Sequence, residues 1–291
     1  MTGAVPRVGV VVLSQGRRPE GLAASLASVL RQEGVALDVV VVGNGWEPDG
    51  LPDGVRCLHL PENLGIPAGR NAGVPLVTGE TLFFLDDDET VPSAAFLADC
   101  LALMRGTDDV ALIQPRIVDP TGAATPRRWI PRIRKGDPAR SSPVMSVLEG
   151  AVVVRRDAFE GAGGWAGEFF YAHEGIELAW RIWDQGHRAW YAGDLVAHHP
   201  AVAPTRHAEY HRLTARNRVW LARRNLPLPL VPVYVGSWTA VQLIRSARNR
   251  DGLGTWLHGW LEGWTTSPGT RRPMSWGTVV RMARAGRPPV I

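Results

Sequence analysis

Short continuous apolar runs alternate with segments of helical period through most of the chain, and each predicts an element. Val8–Leu13 is an unbroken, mostly β-branched apolar run, the pattern of a strand buried on both faces. Glu20–Gln32 sets Leu22, Leu26, Val29 and Leu30 at helical spacing. Leu37–Val42 predicts a second strand ending in the turn Gly43-Asn44-Gly45, and Val55–Leu60 a third, followed by a glycine-rich loop that runs to Gly73. Leu82–Leu85 predicts a fourth strand that stops at Asp86-Asp87-Asp88-Glu89. A helix over Ser93–Met104 is entered from Pro92, and Val110–Pro115 is the next strand. Thr121–Pro143 is polar, rich in Arg and Pro and aperiodic, which predicts a long loop. Val147–Val154 returns to strand character. Glu174–Gln185 is helical through Ile176, Leu178, Ala179, Ile182 and Trp183, and Arg188–Ala192 and Leu195–Ala197 are short strands. The alternation predicts an α/β fold, a Rossmann-like, mostly parallel sheet flanked by helices.

The pattern changes near Asn225. Trp238, Val241, Leu243 and Ile244 lead into Arg245, after which Leu253, Trp256, Leu257, Trp260, Leu261 and Trp264 recur at three and four residues. Such a stripe either packs on the body or lies in a membrane interface, with Trp at headgroup depth and Arg beside anionic lipid. Leu226–Ile244 is uncharged and close to the roughly 20 residues that span a bilayer, but Pro227, Pro229, Pro232 and Gly236 make it a poor spanning helix. Residues 1–225 are therefore expected to form the main domain and 226–291 a basic, Trp-rich helical extension.

Composition narrows the function classes. A hydrophobic fraction of 45% with 21% charged residues excludes disorder as the state of the whole chain. The net charge of +4 is concentrated from Arg206 onward, where only Glu209, Asp251 and Glu262 oppose the arginines. That balance favours anionic partners such as membrane headgroups or phosphates, and nucleic acid is set aside because no recognition module accompanies the charge. Cys57 and Cys100 have neither metal-ligand nor redox spacing. With no leader pattern before Val8, the expectation is a cytoplasmic protein, peripheral on the inner face of the membrane through its extension.

The acidic cluster carries the first chemical signal. In open α/β sheets ligands sit beyond the carboxyl ends of the strands, which is where Asp86, Asp87 and Asp88 fall. Adjacent carboxylates repel one another, and a hard divalent cation, Mg²⁺ or Mn²⁺, bridging them to diphosphate oxygens offsets that repulsion. Glycines in Asn63-Leu64-Gly65-Ile66-Pro67-Ala68-Gly69-Arg70-Asn71-Ala72-Gly73 allow sharp turns or close approach to a ligand, and Arg70 has the fork geometry for phosphate. Glu174 and Glu177, three apart at a helix start, share a face.

Taken in order, Asn63–Gly73, Asp86-Asp87-Asp88, Phe169–Arg181 and Val196-Ala197-His198 resemble the family-2 glycosyltransferases of the A-type fold, over roughly residues 7–225. The resemblance implies an inverting, metal-dependent transfer of a hexosyl or deoxyhexosyl group from a nucleotide-diphospho-sugar donor. The acceptor would be the hydroxyl of a glycan, lipid-linked saccharide or small molecule, in cell-envelope or polysaccharide synthesis. It implies Asp86, Asp88 and His198 as metal ligands, with His199 as the alternative to His198. It implies Asn44, Arg70, Asn71, Asp86 and Asp87 as donor contacts, Arg181 as a group orienting carboxylates, and Glu174 as the base, with Glu177 or another residue as substitutes. Two positions depart from the family pattern: Gly175 stands where an Asp follows the Glu, and Gly43 where an Asp reads the nucleobase. Those departures keep open a catalytically impaired sugar-nucleotide-binding protein. A nucleotidyltransferase is the other alternative, with Ser14-Gln15-Gly16-Arg17-Arg18 as a weak echo of its phosphate loop.

Overall fold

The first apolar run forms β1 (Arg7–Ser14), buried at every residue after Arg7. The structure is a computed structural model that describes residues 4–107, 109–201, 208–247 and 250–290; Arg206, at the start of the basic stretch, lies outside the described residues. Helix α1 (Pro19–Leu30) begins with Pro, whose missing N–H costs nothing there, and buries Leu22, Leu26 and Val29. Strands β2 (Ala36–Asn44) and β3 (Arg56–Leu60) follow. The expected glycine-rich loop closes instead into α2 (Ile66–Gly73), started by Gly65 at φ 84°. Its glycines serve close helix–sheet packing, since a Cβ on Gly69 would lie 2.7 Å from Leu13 Cδ1 and one on Gly73 2.7 Å from Val11 Cγ1.

Next come β4 (Thr81–Asp86), α3 (Phe96–Gly106), β5 (Val110–Val118), β6 (Ser142–Val144), β7 (Ala151–Arg155), α4 (Arg156–Ala162), α5 (Glu174–Asp184) and β8 (Arg188–His198). The stretch expected as strand from Val147 pairs only from Ala151, and a turn carrying Glu149 and Gly150 precedes it. The two short strands expected after residue 188 are one strand, β8, interrupted by an irregular register against β5 between Ala192 and Val196.

The eight strands lie in the order β3-β2-β1-β4-β7-β5-β8-β6. The β3-β2-β1-β4 half is parallel, β7 runs antiparallel between β4 and β5, and β8 is again parallel to β5. Side chains alternate between the faces: Val11, Val40 and Phe84 enter one apolar core, and Val10, Val12, Val41, Phe83 and Leu85 the other. The order in which strands are added reverses at β1, with β2 on one side and β4 on the other, which opens a crevice at the carboxyl ends of these parallel strands.

Helices α6 (Ala208–Asn225), α7 (Leu230–Ser246), α8 (Leu253–Thr265) and α9 (Trp276–Arg284) complete the chain. The aromatic stripe of α8 is divided between two faces. Trp256, Gly259 and Gly263 are buried, and the two glycines let α8 lie against the α6 backbone, since a Cβ on Gly259 would meet the Arg212 carbonyl at 2.1 Å. Leu257, Leu261 and Trp264 remain exposed. Met274 and Met282 share one core with Phe84 and Trp165 of the sheet layer. Among the described residues no helix is long and apolar enough to cross a membrane.

Candidate active site

β4 delivers the three aspartates to the crevice with their side chains pointing in different directions. Asp87 is buried, accepting from Ser14 Oγ at 2.7 Å and from Arg18 Nη1 at 3.1 Å. Asp86 keeps 30% of its side chain exposed and accepts from Arg70 Nη2 at 2.6 Å. Asp88 faces Arg18 Nη1 at 3.1 Å and His199 Nε2 at 3.7 Å. His199 reaches this position because β8 ends alongside the acidic turn, where His198 exchanges both backbone hydrogen bonds with Thr90. Burial, then the Asp86 charge, holds the Asp88 carboxyl above the usual carboxylate range, with His199 and Arg18 pulling it back.

Among the described residues no three His, Cys, Asp or Glu side chains gather into a ready-made cage. Mg²⁺ and Mn²⁺ need none when a diphosphate supplies the remaining oxygens. A partly exposed carboxylate pair beside an imidazole, with one carboxyl raised by burial and then by like charge, is a donor set that fits such an ion.

Behind the aspartates lies a buried charged cluster. Arg70 of α2 is 1% exposed, sits 5.2 Å over the Trp165 ring, and leaves Nε and Nη1 buried without a protein partner. Its charge is flanked by Asp86, Glu174 and Glu149. Glu174, the first residue of α5, is 2% exposed, and its Oε2 is buried without a partner. Burial, then repulsion from Glu149, pushes its carboxyl up to about 8. Glu149 is also raised by burial, with Arg70 and the Gly175 N–H opposing the shift. Glu89 is buried as well and raised well above its ordinary value by burial and by Asp86 and Asp88. Gly150 makes room for it, since a Cβ there would stand 1.9 Å from Glu89 Oε1.

The approach to Glu174 is strained. Phe170, Ala172 and His173 all have positive φ, at 64°, 69° and 75°, a conformation that costs non-glycine residues about 1–3 kcal/mol each. Asn217 of α6, fully buried, donates from Nδ2 to the Phe169, Tyr171 and Ala172 carbonyls at 2.7–3.0 Å, and Arg216 Nη2 adds a bond to Phe169 O at 3.0 Å. Gly65, at the head of α2, abuts the same segment, with Ile66 N donating to Phe170 O at 2.8 Å. The helix after the sheet thus fixes the loop that presents Glu174.

The family model for glycosyl transferase family 2 matches residues 10–163, more than half of the chain. The chain belongs to this family. It is 30% identical over 204 residues to the pre-mycofactocin glycosyltransferase of Mycobacterium tuberculosis, covering 65% of this chain and 40% of that protein. It is 34% identical over 140 residues to the succinoglycan biosynthesis protein ExoM of Rhizobium meliloti, covering 44% of this chain and 43% of the relative. The chain therefore spans less than half the length of these relatives. GalNAc-T7 solved with UDP, GalNAc and Mn²⁺ has the same fold, with a TM-score of 0.62, 15% identity, and coverage of 80% of this chain and 50% of that one. So does S. aureus TarS 1–349, with a TM-score of 0.62, 13% identity, and coverage of 88% and 80%. The Pyrobaculum calidifontis mannosyltransferase PcManGT, solved with GDP-Man and Mn²⁺, gives 0.57, 18%, 98% and 77%. At these identities the likeness concerns the fold, the A-type arrangement expected of a family-2 glycosyltransferase.

Within that family frame, several expected donor contacts are turned to other work. Asn44 is buried, donates to Asn63 Oδ1 and Gly65 O, and accepts from Leu64 N, so its amide pins the loop before α2 and has no free edge for a base. Asn71 exchanges both its amide groups with the Trp165 backbone. Arg70 lies beneath Asp86, which makes it the orienter of that carboxylate in place of an exposed phosphate clamp. Asp87 is held by Ser14 and Arg18, which occupy both its carboxylate oxygens. Of the histidines, His199 and not His198 approaches Asp88. Glu177 diverges from Glu174: its Oε1 accepts from Arg181, Arg224 and Asn225, which ties α5 to α6 and leaves it no role as a base. Gly43 admits no side chain in this turn, because a Cβ would lie 2.0 Å from the Trp46 carbonyl. Glu149 belongs to no motif and is brought in by the turn before β7, while Arg18 and Glu89 lie in segments the sequence singles out but reach the site only through contacts with the aspartates.

Proposed function

We propose that this chain transfers a sugar from a nucleotide-diphosphate donor to an acceptor hydroxyl, with inversion, in a divalent-metal-dependent reaction of glycan synthesis. The observation that carries the reading is the juxtaposition of Asp86, Asp88 and His199 at the crevice mouth with the buried Arg70–Glu149–Glu174 cluster behind them. Asp86, Asp88 and His199 would hold Mg²⁺ or Mn²⁺, which when bound offsets the charge that builds on the departing diphosphate. Arg70 fixes Asp86 from below, and Arg18 lies across Asp87 and Asp88. The Glu149–Glu174 pair supplies the carboxylate needed to take the acceptor proton. The nucleotidyltransferase alternative weakens because Ser14 and Arg18, the core of its phosphate-loop echo, are engaged with Asp87.

Titration calorimetry with UDP-GlcNAc and GDP-mannose tests this reading. At least one is expected to bind at least about tenfold more tightly with Mn²⁺ than with a chelator, a difference of about 1.4 kcal/mol. Equal binding with and without the ion, or none, refutes it.

The exposed Leu257, Leu261 and Trp264 recur at four and three residues on the outward side of α8, and Arg245 at the end of α7 is also exposed. We read this as a peripheral contact with anionic lipid, apolar groups entering the acyl boundary and cations meeting headgroups. Co-sedimentation with phosphatidylglycerol vesicles is expected to fall at least about fivefold when all three are changed to Ser. Undiminished binding by that triple variant overturns the contact.

A further inference from the structure

Gly175 is where a side chain is missing, and the structure gives its space to another residue. The turn before β7 brings Glu149 beside the aspartates, because the β4–β7 register sets Leu85 against Ala151 and Asp86 N donates to Gly150 O at 2.8 Å. From there Glu149 Oε1 accepts from Gly175 N, in the first turn of α5, at 2.8 Å. A Cβ on Gly175 would lie 2.4 Å from that oxygen and 2.3 Å from the Val147 carbonyl. A side chain at position 175 is thus excluded by the Val147 carbonyl as well as by the Glu149 carboxylate.

We propose that Glu149 is the group that takes the acceptor proton, occupying the place a side chain at position 175 would fill. The inference rests on the glycosyl-transfer reading above and names the proton acceptor within it. Two features favour Glu149 over its neighbour. Glu174 is 2% exposed, whereas residue Glu149 is only partly buried and its carboxylate accepts from the Gly175 N–H. The charge of the pair also belongs on Glu149: Glu174, raised to about 8, is mostly protonated at neutral pH, while Glu149 has the Gly175 N–H and the Arg70 cation to stabilise its ionised form.

In the step itself the acceptor oxygen attacks the anomeric carbon and a new carbon–oxygen bond forms. The bond from that carbon to the diphosphate oxygen breaks, and its electron pair leaves with the nucleoside diphosphate. The acceptor proton passes to Glu149 and later to solvent. Glu174 stays protonated and keeps the second negative charge out of the pair.

The experiment uses the full chain with Mn²⁺, UDP-GlcNAc and GDP-mannose as donor probes, and water as acceptor. Donor affinity is read by calorimetry and turnover by nucleoside diphosphate release. Glu149→Gln is expected to keep donor affinity within about threefold and to lose about 100-fold or more in turnover, the range for a removed general base. Glu174→Gln is expected to lose less. Gly175→Asp alone crowds Glu149 and lowers turnover. Glu149→Asp keeps a carboxylate at this position and is expected to recover at least about tenfold over Glu149→Ala. Wild-type turnover in Glu149→Gln, or no recovery in Glu149→Asp over Glu149→Ala, overturns the assignment. So does a wild-type protein that binds donor and never cleaves it. A wild-type protein that binds neither donor strikes the transfer reading itself, a result distinct from the loss of the base.

Discussion

Asp88→Ala is expected to lower metal-dependent donor turnover by about 100- to 1,000-fold while leaving thermal stability unchanged or slightly raised. The two halves of this expectation have one cause. The Asp88 carboxyl is raised by burial and by Asp86 and Asp87, so the fold disfavours its ionised form, and only His199 and Arg18 oppose this. Deleting it relieves like-charge repulsion at the crevice mouth and removes one of the groups that would hold a divalent ion. An ordinary structural aspartate behaves in the opposite way, since its ionised form is stabilised by the fold and its loss costs stability. Turnover assays with Mn²⁺ and a thermal melt on the same sample check both parts. Full turnover in the variant removes the metal site from this reading, and a large loss of stability makes Asp88 a structural residue.

Arg70→Met has the larger expected effect on folding. Its guanidinium is the buried cation among Asp86, Glu149 and Glu174, and removing one partner of a buried ionic cluster costs about 3–5 kcal/mol. The loss should depend on pH. Glu174 titrates at about 8 in the folded chain against an ordinary 4.5, so between those values the folded state binds a proton that the unfolded state does not. Stability from this group therefore falls as pH rises through the window. Arg70 holds Glu149 and Glu174 down, so without it both rise further and the penalty is greatest above the window. Urea unfolding near about pH 5 and about pH 9 is expected to show the smaller loss at the acid end. Arg70→Lys keeps the charge and is expected to recover part of it. Equal losses for Arg70→Met at both pH values contradict the cluster.

Much of the sheet was readable because its strands are central and buried on both faces. Val8–Leu13, Val39–Val42 and Leu82–Leu85 are continuous runs without a polar side chain, and all three lie in strands with neighbours on both sides. Segments whose glycines serve packing were misread. The composition of Ile66–Gly73 argues for a loop, and only the approach of Leu13 and Val11 explains why its glycines sit in a helix. The break in β8 has a similar origin, because Gly193 and Asp194 mark a register irregularity within one strand.

By itself the chain's order of residues determined the α/β layering and the point where β4 hands its aspartates to the crevice, since both follow from local periodicity. Tertiary structure alone decided which histidine meets Asp88, which asparagines are used up inside the protein, and which glutamate meets the Gly175 N–H. Those choices depend on registers and turns joining segments far apart in the chain, such as Asp86 with Gly150 and Glu149 with Gly175. The two unusual glycines share one cause: at Gly43 the Trp46 carbonyl of the same turn, and at Gly175 the Val147 carbonyl and Glu149 carboxylate, already occupy the volume of a side chain.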